Sequence, residues 1–150
     1  MPRSRPWTDA TGSASLEFIA AGVVLLVPTV YLVLALSAVQ AATLAVDGAA
    51  RQATRVYVQS ESVAAARLAA ARAIEVTLAD YGLDAGAATV AISCRPRPGA
   101  CLTRRGFVTV TIGMTIPLPL QPPFLDTGLP AGLPVSATAT EQVSRFWGSR

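Results

Sequence analysis

Histidine and lysine are both absent from this chain, cysteine occurs twice, and charged residues of all kinds make up only 14%. Without histidine there is no physiological-pH proton shuttle and no imidazole metal ligand, and Ser/His or Cys/His nucleophilic pairs are excluded. Without lysine there is no Schiff-base amine and no Walker-type phosphate loop. The remaining acids outside the N-terminal region, Glu61, Glu75, Asp80, Asp84, Asp126 and Glu141, show no metal-ligand spacing. The expectation is a protein that is not an enzyme, with no cofactor, no metal and no small-molecule substrate. All 12 basic residues are arginine, and against 9 acids they give a net charge of +3. Spread over 150 residues, they make no general nucleic-acid footprint, and nucleic acid is not an expected partner.

What the chain has instead is apolar residues, 52% of the total, with a mean hydropathy of +0.48. Much of this lies in one stretch, because no charge occurs from Phe18 to Val46. About 29 residues in a helix extend roughly 43 Å, enough to cross a hydrocarbon core of about 30 Å. Thr29, Tyr31, Ser37, Gln40 and Thr43 interrupt the run without charging it, and Pro28 is tolerable in a membrane helix. No second stretch qualifies, so a single crossing through the lipid bilayer is expected. Arg3 and Arg5 precede it and place the N-terminus in the cytoplasm by the positive-inside rule. The C-terminal part is then extracytoplasmic. Cys94 and Cys101 enclose a turn-forming Arg-Pro-Arg-Pro-Gly-Ala segment in that part, where a disulfide is the simplest reading. Closing so short a ring contributes about 2.5 kcal/mol in the chain-entropy picture.

The entrance to the span is unusual. Glu17 stands at its threshold, preceded by a polar leader, Met1 to Gly12, and by Ser13-Ala-Ser-Leu. A carboxylate at a membrane edge is costly unless partnered, although an acid in the first turns also suits a helix dipole. The arrangement resembles a type IV prepilin: a hydrophilic leader ending in Gly, a small residue next, Glu at the fifth mature position, then a long apolar helix. The block Gly12 to Phe18, Pro28, Gln40 and the segment Ala49 to Arg55 are similar to the TadE-like family, minor pilin-like components of Flp/Tad pilus systems. The likeness covers residues 12 to 55. TadE-like spans often carry a second acid near mid-helix, and this chain has Leu34-Ala-Leu-Ser37 there.

The resemblance implies cleavage between Gly12 and Ser13 by a prepilin peptidase, and a pairing of Glu17 with the new N-terminal amine of a neighbouring subunit. Other pilin subunits and the Tad assembly platform become expected partners, and a surface pilus one expected location. Two other readings stand beside it. One is a non-polymerising single-pass protein whose head binds a partner, with Glu17 incidental. The other is release of a soluble domain by signal peptidase after Val39-Gln-Ala41.

The rest reads as a pilin-like α+β head. The expected division is a leader over 1–12, a transmembrane helix over 13–46, a helical stalk over 47–59 and a head over 60–150. Ser60 or Ser62 can cap an amphipathic helix from Val63 to Tyr81 that stops at Gly82. Its stripe is Val63, Ala66, Ala70, Ile74, Leu78 and Tyr81. Alternation then predicts three strands: around Val90–Cys94, over Phe107–Ile116, and from Val135 to about Arg145. They form a small antiparallel sheet, for which the second helix is the expected cover. Arg95, Arg97, Arg104 and Arg105 cluster around the cysteines with no aromatic stacking platform among them; they read first as a solvated loop, with contact to anionic cell-wall polymer, phospholipid headgroups or DNA as the alternative. Residues 117–134, rich in Pro and Leu, form a long loop that covers the sheet edge or meets another subunit.

Overall fold

The structure is a computed structural model that describes residues 13–117 and 132–148. The expected leader, including Gly12, and nearly all of the Pro/Leu-rich loop lie outside the described residues.

The uncharged run folds into the first half of one continuous helix, α1, Ser13–Gln59, 47 residues long and so roughly 70 Å from end to end. Pro28 sits inside it without ending it. The two threonine hydroxyls that interrupt the run are satisfied within the helix: Thr29 Oγ1 donates to the Leu25 carbonyl at 2.7 Å and Thr43 Oγ1 to the Val39 carbonyl at 2.8 Å. Such back-bonding lets a hydroxyl sit in apolar surroundings. Residues 14–34 are exposed on every side, Leu25 at 70% and Phe18 at 80% among them. From Ala42 onward one stripe of the same helix is buried: Ala42, Ala45, Val46, Ala49, Ala50, Ala53, Thr54, Tyr57 and Val58.

The segment expected as a stalk is therefore helical, but it does not stand apart from the head. It is the head's core helix. The uncharged run likewise overlaps the head, since Ala42, Ala45 and Val46 are buried there.

The chain breaks at Ser60–Ser62. Ser60 Oγ donates to the Val56 carbonyl at 2.8 Å, and Ser62 Oγ accepts from the Ala65 amide at 3.2 Å as the N-cap of α2, Val63–Ala79. Gly82, at φ +69°, turns the chain out of the helix, and the Leu83 amide donates to the Leu78 carbonyl at 3.0 Å. Of the expected stripe, Ala66, Ala70, Ile74 and Leu78 are buried, while Val63 and Tyr81 at its ends are exposed. A 3-10 turn, Ala85–Ala87, leads into the sheet.

The sheet is antiparallel in the order β1-β2-β3: β1 Thr89–Arg95, β2 Phe107–Ile116 and β3 Leu133–Gln142. The third strand begins two residues earlier than expected, so Leu133 and Pro134 pair with Ile116 and Thr115 instead of ending the loop. Pro134 is tolerable because β3 is an edge strand. Gly132, just before it, lies so close to β2 that a Cβ there would sit 2.5 Å from the Ile116 carbonyl oxygen. On the inner face, Val108, Val110, Ile112, Met114 and Ile116 are buried. On the outer face the hydroxyls of Thr109 and Thr140 meet at 2.8 Å, and those of Thr111 and Thr138 at 3.0 Å, as cross-strand pairs do.

The expected cover is the wrong helix. The distal half of α1 packs along β2 and β3, and α2 packs against α1. The cause is side-chain size: alanines at 42, 45, 49 and 53 bring α1 close to its neighbours, and Gly48 does the same toward Thr77 of α2. β1 is left partly uncovered, with Val90 45% exposed and Cys94 buried.

This close packing leaves no room for larger side chains. Ala49→Leu should destabilise the protein by about 1–3 kcal/mol through overpacking. Ser62→Ala should cost about 1 kcal/mol through loss of the cap. Denaturant unfolding in detergent micelles, followed by circular dichroism, measures both.

Candidate functional site

The residues singled out from sequence lie at opposite ends of the molecule. Ser13 is the first residue of α1 and Glu17 follows one turn later, exposed and surrounded in sequence by exposed Leu16, Phe18 and Ile19. The first turn contains no acid, so Glu17 is not a capping residue. It is the only ionisable group of α1 before Asp47 apart from the phenol of Tyr31. Among the described residues the sole ion pair is Arg51 with Asp47, at 3.0 Å on the exposed side of α1, and Glu17 has no partner within the described chain.

The direction of the head follows from two contacts. Thr54 Oγ1 is 3.4 Å from the Ala139 carbonyl, and the Trp147 indole Nε1 donates to the Ser60 carbonyl at 2.9 Å. β3 therefore runs alongside α1, away from the apolar half. By the antiparallel register, the C-terminal end of β1, the start of β2 and the residues after β3 gather around the far end of α1. That end holds the cysteines. Cys94 and Cys101 are joined in a disulfide with Cα atoms 5.1 Å apart, and the described residues contain no free cysteine.

The β1–β2 connection pinned by this bond carries Arg95 and Arg97 inside the closed ring and Arg104 and Arg105 just after it, all exposed. Arg105 adopts φ +61°, a conformation costly for a residue with a Cβ. It is held there by the Val143 carbonyl accepting from its amide at 3.1 Å and by Gln142 Nε2 donating to its carbonyl at 3.2 Å. Arg104 Nε donates to the Trp147 carbonyl at 2.9 Å. An open cleft of about 530 Å³ lies between Pro96, Arg97, Leu102, Thr103, Arg104 and Trp147.

In sequence no aromatic lies among these arginines, but Phe107 follows Arg105 by two residues and folding brings two more. Phe107 pairs directly with Arg95 across the β1–β2 ladder and is 46% exposed. Phe146 carries the Arg145 guanidinium 4.7 Å from its ring centroid. Trp147 lines the cleft. The signal was in the chain as Arg-Phe-Trp near its C-terminus, but nothing local joins residues 145–147 to residues 95–105. Only the strand register does. Among the described residues no group of three His, Cys, Asp or Glu side chains gathers where a metal could bind.

Removal of the disulfide should loosen this end first. Cys94→Ser with Cys101→Ser should lower stability by about 2.5 kcal/mol, read by denaturant unfolding against the untreated protein. Alkylation without prior reduction should label no thiol. Comparison of the chain with family models, curated proteins and solved structures returns no match.

Proposed function

We propose that this chain is a TadE-like minor pilin or pseudopilin, anchored in the membrane by the apolar half of α1 and taking part in assembly of a Flp/Tad-type pilus. In this reading a prepilin peptidase cuts between Gly12 and Ser13 at the cytoplasmic face, and the head stands outside the membrane. The observation that carries the reading is the position of Glu17: one turn inside a helix that is long and apolar enough to cross a membrane, and whose other half is the core of a small α+β head. A rod that is lipid-facing at one end and head core at the other is the plan of a pilin. The carboxylate needs a cationic partner there. Cleavage would create one at Ser13, and a neighbouring subunit's Ser13 amine could reach Glu17 as rods stack side by side.

The disulfide supports an extracytoplasmic head, because such bonds persist in oxidising compartments. Arg3 and Arg5 support a cytoplasmic leader. A second reading, a single-pass protein that does not polymerise and whose head binds a partner, draws on the arginine- and aromatic-rich distal end.

The two readings separate on the N-terminus of the protein isolated from membranes. Mass spectrometry should find Ser13 first, with or without a methyl group on its amine. A chain starting at Met1 or Pro2 would favour the non-polymerising anchor, and one starting at Ala42 would mean release by signal peptidase. Glu17→Gln and Glu17→Ala should be cleaved normally yet give no fibres by electron microscopy. Normal fibres from either variant would remove the proposed role of Glu17.

A further inference from the structure

We propose that the distal end of the head binds single-stranded nucleic acid, gripping phosphates with arginines of the disulfide loop and stacking bases on the adjoining aromatic side chains. Five arginines, Arg95, Arg97, Arg104, Arg105 and Arg145, are gathered there and exposed. The acids at the same end are Glu61 and Glu141. Among the described residues none of the five arginines is in an ion pair. A guanidinium is a fixed, planar fork suited to phosphate oxygens, and it keeps its charge at any physiological pH.

Charge alone would fit any polyanion, and the aromatics narrow the choice. Phe107 stands beside Arg95, Phe146 is 64% exposed with Arg145 at its ring, and Trp147 lines the same cleft as Arg97 and Arg104. Exposed cations with ring faces beside them can hold an unpaired strand, whose bases are free to stack while its backbone follows the charge. A duplex hides its ring faces, and a base-free polymer has none.

The backbone of the loop points the same way. Arg105 occupies a left-handed conformation that glycine would adopt at less cost, so the fold carries strain at a position where the side chain itself contacts no acid. Strained backbone of this kind collects at binding sites. The protein's own membrane does not account for the charge either. From Ala42, where burial in the head begins, to Ser60 the helix rises roughly 27 Å, beyond the screening distance of about 8 Å at physiological salt.

The inference is independent of any pilus, and so is its test. The full-length protein in non-ionic detergent is titrated against fluorescein-labelled dT15 and followed by fluorescence anisotropy at several salt concentrations. Polyphosphate and a 15-base-pair duplex serve as unlabelled competitors. The unaltered protein should bind dT15, with an affinity that falls as salt rises and a log–log slope of about −2 to −4, since each phosphate contact on a single strand contributes about −0.7. Arg105→Gly and Arg97→Ala should each make that slope shallower by about 0.7, with Arg105→Gly melting no lower than the unaltered protein. Phe107→Ala and Phe146→Ala should weaken dT15 binding about fivefold or more and leave competition by polyphosphate unchanged. Thermal melting by circular dichroism identifies any aromatic variant that fails to fold, and the pair of exposed phenylalanines provides two independent chances to read the effect.

Absence of dT15 binding by the unaltered protein would overturn the proposal. So would tighter competition by the duplex than by single strands. If the phenylalanine variants bind dT15 as tightly as the unaltered protein and polyphosphate competes equally per phosphate, the surface reads charge alone, and a base-free polyanion replaces nucleic acid.

Discussion

Everything in this molecule is arranged around one helix whose two halves present different surfaces: one apolar on every side and long enough to cross a membrane, the other the core of a small head. The first half of α1 presents apolar side chains in all directions, and the second half offers a stripe of small residues to a sheet on one side and to α2 on the other. The same backbone hydrogen bonds serve both, because a helix needs no outside partner for its interior amides and carbonyls. The change of environment is made by side chains alone, and it falls near Ala42. Small residues past that point let strands and α2 approach closely, and the close approach is what allows two strands of the sheet, β2 and β3, to be covered by a single helix.

The membrane-length helix, the serine cap of α2, the glycine stop at 82 and all three strands were legible in the sequence, because each rests on a local pattern: absence of charge, a capping hydroxyl, a residue tolerant of positive φ, and alternation. The layer order was not. Asp47 to Gln59 carries Asp47, Arg51, Gln52 and Arg55 on one side and alanines on the other. That is as amphipathic as α2, but its continuity with the apolar run makes it read as a stalk leaving the membrane. Which of two Ala-rich helices lies on a sheet is decided by fit in three dimensions, and hydrophobic periodicity is the same in both. The early start of β3 had a similar cause. Pro134 reads as loop until its place on an edge strand is known.

The candidate sites divide the same way. Glu17 stands out in sequence because it is an anomaly, one acid against a long uncharged run, and the cysteine pair stands out because its ring is short. The distal surface is assembled from two separate stretches: the β1–β2 connection through to Phe107, and the turn after β3. Nothing short of the register β1-β2-β3 brings Arg95, Phe107 and Trp147 to one end, so the arginines taken singly look like ordinary solvated charge.

Trp147 has a mechanical consequence as well. Its indole is fastened to the last turn of the rod at Ser60, and its carbonyl is fastened to Arg104, so the tail of the chain ties the outermost loop to the rod's summit. A tug applied at that loop is handed straight to α1, one continuous helix from Ser13 to Gln59. Pro28 is a compliant place on that line, within the apolar half, where the ladder lacks a rung. Pulling on the crown would thus be felt as bending within the apolar half of α1, not at a hinge beneath the head.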